Sequence, residues 1–197
     1  MRPLLRNVAC LFLLAGTLAL LTGAADSRNA PPKARPNPIP KSAPAVPEPR
    51  IKVYFSPDGG CTDAVVREVG KARKTVRMQA YSFTSAPIAK ALVEAHRRGV
   101  KVEVLLDKSQ RREKYTVADF LTHAGIPTYI DAKHAIAHDK VVVVDGKTVL
   151  TGSFNFTKSA EESNAENLLV LRDEVLAGKY VGNWVHHRAH CVRYVGK

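Results

Sequence analysis

The residues best suited to chemistry fall in one stretch. It runs His138-Asp139-Lys140-Val141-Val142-Val143-Val144-Asp145-Gly146 and is soon followed by Gly152-Ser153-Phe154-Asn155. An imidazole that can attack or carry a proton near neutral pH, an ammonium, a hydroxyl and an amide together suit a phosphate oxyanion. They supply charge, hydrogen-bond donors and a nucleophilic nitrogen. Asp139 stands between His138 and Lys140 in an alternating segment and must point the other way. No cluster of carboxylates accompanies it, as a two-metal nuclease requires. The chemistry expected of these residues uses neither metal nor cofactor.

The elements that position them can be read outward from the turn. Asp145-Gly146 between β-rich runs is the strongest local hairpin signal. A two-residue turn there makes Val144 face Lys147, which sets Lys140 opposite Thr151 and His138 opposite Ser153. Opposed residues share a face, as do residues two apart in a strand. His138, Lys140, Ser153 and Asn155 are therefore expected to line one face, and a slip of one residue would split them.

Around this hairpin, strands alternate with helices. Strands are expected at Ile51–Phe55, Val76–Tyr81, Lys101–Leu106, Thr128–Ile130 and Glu166–Leu171. A helix capped by Thr62 carries Val65, Val66 and Val69; a second, capped by Ser85 with Pro87 in its first turn, ends at Gly99; a third holds Val117, Phe120 and Leu121. Leu176, Tyr180 and Trp184 recur every four residues, as in an amphipathic terminal helix. The uninterrupted run Val141–Val144 reads as a central strand covered on both faces. The fold class is α/β: a layered sandwich with a central mixed β-sheet flanked by helices on both faces.

Residues 1–25, with Arg2 and Arg6 before the apolar run Val8–Leu21 and small residues after it, are expected to be a secretory signal peptide, which implies a secreted or periplasmic protein. Residues 26–50, with eight prolines between Pro31 and Pro49, read as a disordered linker, leaving 51–197 as one catalytic domain. The 197 residues carry a formal charge of +12, and losing Arg2 and Arg6 leaves a mature chain of +10. That favours a polyanionic partner such as nucleic acid and excludes an acidic solvating protein. Arg111, Arg112 and Lys114 make either a phosphate-contacting loop or a solvated one. Cys61 and Cys191 either pair in a disulfide or stay as buried thiols. The cluster His186-His187-x-x-His190 offers too few ligands for a metal and reads as a polar helix face.

The pattern His138-x-Lys140-x4-Asp145, followed by Gly152-Ser153-x-Asn155 and Asn164-Ala165-Glu166-Asn167, resembles the signature of the phospholipase D superfamily. With Met78–Thr84 and Ala91–Val102, the similarity covers nearly everything from Ile51 to Leu171. It lies closest in character to the superfamily's small secreted, chelator-resistant bacterial endonucleases. The resemblance implies that His138 attacks the phosphorus of a diester and forms a covalent phosphohistidine. It implies that Lys140 and Asn155 hold the non-bridging oxygens, that Ser153 supports them, and that Glu166 accepts a hydrogen bond from the His138 ring. Asp145 matches the third signature residue, although its turn position suggests a bond to backbone. No other histidine is followed two positions later by lysine, so the chain holds half a site. A homodimer with one composite active site is the expected assembly. The activity implied is nucleic-acid phosphodiester hydrolysis; a phospholipase D acting on phospholipid is the alternative, and a non-catalytic basic binding module the second.

Overall fold

The computed structural model describes residues 49–196. The expected signal peptide, and the expected linker apart from its last two residues, lie outside the described residues. The chain runs β1 (Ile51–Ser56), α1 (Cys61–Gly70), β2 (Thr75–Ala80), α2 (Ala86–Arg97), β3 (Lys101–Asp107), a 3-10 turn (Lys108–Arg111) and α3 (Ala118–His123). It continues through β4 (Thr128–Asp131), β5 (Lys140–Val144), β6 (Thr148–Gly152), α4 (Lys158–Glu162), β7 (Glu166–Arg172), α5 (Glu174–Arg188) and β8 (Val192–Arg193).

One eight-stranded mixed sheet results, in the order β1-β7-β6-β5-β2-β3-β4-β8. The helical crossovers make β2, β3 and β4 parallel, whereas the tight hairpin makes β5 and β6 antiparallel. Alternation along the strands divides the core in two. Val102, Val104 and Leu106 of β3 join the cluster under α1 and α2, while Leu105 packs with Tyr129, Trp184 and Cys191 on the α5 side. Every residue of β5 is buried, as the apolar run predicts. Trp184 is buried too, and its indole N–H donates to the Met78 carbonyl at 3.2 Å.

Three expectations are corrected or, where two readings stood open, narrowed to one. Thr62 does not cap α1: Gly60 is the cap residue, and the Glu161 carboxylate of α4 accepts the N–H groups of Gly60 and Thr62 at 3.0 and 2.6 Å. An acid from a distant helix thus serves donors that the first turn leaves open. Cys61 and Cys191 are both free. Cys61 lies in the core cluster under α1 and Cys191 in the cluster under α5, so the sheet separates them. Burial, with Glu161 beside Cys61 and Asp131 beside Cys191, pushes both thiols up to about 11, which makes them packing groups and poor nucleophiles.

The third correction concerns the hairpin. Asp145 and Gly146 both take positive φ, 54° and 66°, and Lys147 N–H closes the turn on the Val144 carbonyl at 3.0 Å. Yet the ladder resumes with Val144 opposite Thr148, one residue later than expected. Lys147 is the extra residue of the hairpin; its carbonyl accepts from Asp173 N–H and its ammonium pairs with Glu174, both at 3.0 Å. Continuing this register puts Lys140 opposite Gly152, with Ala80 on its other flank. His138 precedes the strand altogether, and Ser153 and Asn155 follow β6, so the expected alignment of His138, Lys140, Ser153 and Asn155 on one strand face is not made by the ladder.

Asp145 ties the turn to the segment leading into β2. Its carboxylate accepts the backbone N–H groups of Arg73, Lys74 and Thr75 at 2.9, 2.7 and 2.9 Å. Burial alone would raise its pKa, but these donors outweigh it and hold the carboxyl below its usual range. Because the folded-state pKa is depressed, the stabilisation is present above the ordinary carboxylate range and is lost as pH falls through the folded value. Asp145→Ala, which also places alanine at positive φ, is expected to destabilise by about 2 kcal/mol in chemical denaturation, and Asp145→Asn by less.

Candidate active site

The site is built by the end of the sheet at which β2 and β6 finish and β5 and β7 begin. Antiparallel pairing of β5 with β2 puts Lys140 beside Ala80, and pairing of β6 with β7 puts Gly152 beside Leu168. The segments just beyond these points therefore meet: Tyr81–Ser85 after β2, His138–Asp139 before β5, Ser153–Thr157 after β6 and Glu166–Asn167 opening β7. Tyr81 N–H donates to the Asp139 carbonyl at 2.9 Å, and the N–H groups of Thr84 and Ser85 donate to the Phe156 carbonyl at 3.0 and 2.9 Å. These bonds lock three of the segments together.

Gly152 permits this closeness. A Cβ at this position would lie 2.2 Å from the Asn167 carbonyl oxygen. Only glycine lets the chain pass so near β7. Directly beyond it, Ser153 Oγ accepts from the backbone N–H and side-chain amide of Asn167 at 3.0 and 3.4 Å. Two donors on its oxygen leave the exposed hydroxyl's own proton to be given outward, the polarity an anion needs.

Lys140 is the buried cation of the site, 7% exposed. Its ammonium donates to the His138 carbonyl at 2.9 Å and lies 4.9 Å from the centre of the Tyr81 ring. Burial pulls its pKa below the usual lysine value, against the charges of Glu166 and Asp139, which favour the cation. His138 is exposed, with its ring 4.5 Å from the Tyr81 ring. Tyr81 is thus the platform beneath both, and Asn167 the support behind Ser153. Neither stands out in the sequence as a chemical residue, although Tyr81 ends an expected strand and Asn167 lies in the Asn164–Asn167 motif.

The other expected residues are placed as follows. Glu166 reaches Lys140 through its charge, but its hydrogen bond is from the Asn164 side chain at 3.2 Å, and the expected bond from His138 is not made. Asn155 is half-buried, and its Oδ1 is enclosed without a partner among the described residues. Asp139 points away from Lys140, as expected, and accepts from Gln79 at 3.4 Å. Asp145 sits at the far end of β5, occupied by backbone. Beside Tyr81 runs an open groove of about 560 Å³ lined by Lys108, Arg111 and Arg112, so part of the basic loop flanks the site. Lys114 instead lies over the ring of Tyr115.

An imidazole, a buried ammonium and an exposed hydroxyl thus stand on segments that meet at one end of the sheet, residue types that suit a phosphate oxyanion. The model of the family described as cardiolipin synthase, PLD-like domain, matches residues 65–186. The chain is 41% identical over 140 residues to a phospholipase D of Rickettsia conorii, covering 71% of this chain and 70% of that one. It is 36% identical over 109 residues to a mitochondrial cardiolipin hydrolase of Xenopus laevis, covering 55% of this chain and 52% of that one. Among solved structures it is similar to the phospholipase D family member Nuc from Salmonella typhimurium, with a TM-score of 0.71 and 37% identity over 73% of this chain and 97% of that one. The chain belongs to the phospholipase D superfamily, and it is a hydrolase of the phosphodiesterase type.

Proposed function

We propose that the protein is a metal-independent endonuclease that hydrolyses DNA and RNA through a phosphohistidine. The observation that carries this reading is the pairing of an exposed His138 with a buried Lys140 cation beside a groove lined by Lys108, Arg111 and Arg112. A phosphate diester backbone needs such a positive track on either side of the bond that breaks. The net charge of the chain supports the same substrate, as does the resemblance of its motifs to small secreted endonucleases. Secretion to the periplasm or beyond fits the expected signal peptide.

In the reaction, a ring nitrogen of His138 bonds to phosphorus and the bond to the leaving oxygen breaks. Lys140 and the Asn155 amide N–H group hold the non-bridging oxygens, and Ser153 donates a hydrogen bond from its hydroxyl to them. Their fixed charge and dipoles lower the barrier as negative charge accumulates there. The leaving oxygen needs a proton from the side opposite the nucleophile. That proton comes from His138 of the partner subunit across a twofold axis. The same imidazole then takes a proton from the water that attacks the phosphohistidine and frees His138.

A second reading, hydrolysis of phospholipid to phosphatidic acid, is favoured by the similarity to the Rickettsia phospholipase D and the Xenopus cardiolipin hydrolase. Incubation with plasmid DNA, RNA and phosphatidylcholine vesicles, each with excess chelator, tests both. Nicked plasmid and degraded RNA are expected. Choline release with intact nucleic acid would put the lipid reading first, and cleavage abolished by chelator from a folded protein would refute the metal-free mechanism.

A further inference from the structure

Away from the phosphate site, four ligating side chains converge without a role in it: Asp131 at the end of β4, His134 in the loop after it, His187 in the last turn of α5 and His190 just beyond. We propose that they form a structural zinc site that ties α5 to the loop carrying His138.

The sequence shows only the histidines of one helix end, with His186 and His190 at helical ligand spacing. Folding selects a different set. The Oδ2 atom of Asp131 lies 2.8 Å from His134 Nδ1, 3.3 Å from His187 Nδ1 and 3.3 Å from His190 Nε2. The four ligand atoms all lie within 4.8 Å of one another. Zinc bonds of roughly 2.0 to 2.2 Å in a tetrahedron set ligand atoms about 3.4 Å apart. The contacts to His187 and His190 already have that length. His134, whose side chain is 41% exposed, is free to draw back to it.

The surroundings are those of a structural site. Asp131 is 1% exposed, and its other oxygen accepts the N–H groups of Lys133 and His134 at 3.1 and 3.2 Å, which fixes the direction in which Oδ2 points. The side chains of His187 and His190 are 15% and 16% exposed. Three imidazoles and one carboxylate complete a tetrahedron and leave no position for a reacting water, the pattern of a closed site. Nitrogen and oxygen donors without thiolate suit zinc, and Cys191 stays outside the set.

The place of the cluster gives the metal its effect. The loop from Ala132 to Ala137 is strapped to β3 by Ala137 N–H on Asp107 Oδ2 at 2.8 Å and to the following turn by the Lys108 ammonium on the His134 carbonyl at 3.0 Å. Zinc would add a bond from the same loop to α5, a few residues before His138. The metal stabilises and takes no part in bond cleavage.

The test uses protein stripped by chelator and then dialysed, titrated with zinc by calorimetry and with cobalt by visible absorption. One equivalent per chain, a tetrahedral cobalt spectrum and a raised unfolding midpoint are expected. His187→Ala with His190→Ala should weaken zinc binding at least about a hundredfold, and His186→Ala, on the same helix but outside the set, should leave it unchanged. If the double variant does not fold, His134→Gln, at the most exposed ligand, should weaken binding at least about tenfold. No saturable binding by the wild type, an octahedral cobalt spectrum, equal loss in His186→Ala or retention in the ligand variants would each overturn the proposal. Running the cleavage assays below the unfolding midpoint of the stripped protein keeps this result separate from the phosphodiesterase reading.

Discussion

His138→Asn is expected to lower turnover at least about 10⁴-fold while leaving affinity for an uncleaved oligonucleotide within a few-fold of wild type. Asparagine is close in size and can lie against the Tyr81 ring, but its amide cannot form the phosphoryl bond. His138 is exposed and outside the regular strand, so the unfolding midpoint should barely move. Single-turnover cleavage, a binding titration and a thermal melt read the three quantities. A modest drop in rate would make His138 an accessory group. The same variant reports on assembly. If two copies of His138 serve one phosphorus, activity after subunit exchange follows the square of the wild-type fraction, about one quarter in an equal mixture, whereas independent sites would keep about half.

Lys140→Met is expected to lower turnover about 10²- to 10³-fold, the usual cost of removing a fixed positive donor from a developing oxyanion. It should also raise thermal stability. The folded-state pKa of Lys140 is depressed, first by burial, so the folded protein disfavours the cation relative to the unfolded chain. That penalty vanishes above the ordinary lysine pKa, where both states are neutral, and is fully present below the folded value, including neutral pH. Methionine fills a similar volume without the charge. A stabilised, nearly inactive variant would show that the lysine is kept for substrate; a destabilised one would show that Glu166 and Asp139 outweigh its burial. Lys140→Arg should restore charge but not rate, since a planar guanidinium on a longer stem does not put its donors where the compact ammonium beside the His138 carbonyl and the Tyr81 ring puts them.

Much of the scaffold is legible because its signals are local. Apolar alternation and the helix punctuation at Ser85 and Gly99 mark strands and helices, and Asp145-Gly146 marks the hairpin. What fails is set by distant residues. The hairpin holds one residue more than its Asp-Gly turn predicts, Lys147, whose carbonyl is taken by the Asp173 N–H from the far end of β7, and α1 is capped by Glu161 rather than by its neighbour Thr62. The chemical residues were visible as types, but the reason they meet is the order of strands. Pairing β5 with β2 makes Tyr81 the platform for His138 and Lys140, and no spacing along the chain reports that. The same holds for Asp131, which lies just past the strand expected at Thr128–Ile130 and carries no signal of its own, yet which gathers histidines from two other segments.

The central claim is that phosphorus is transferred first to His138 and then to water. Stereochemistry at phosphorus tests it most directly: a phosphorothioate diester of one configuration is hydrolysed in isotopically labelled water and the product's configuration determined. Two successive in-line displacements predict overall retention. Inversion would mean that water attacks the diester in one step, and His138 would not be the nucleophile.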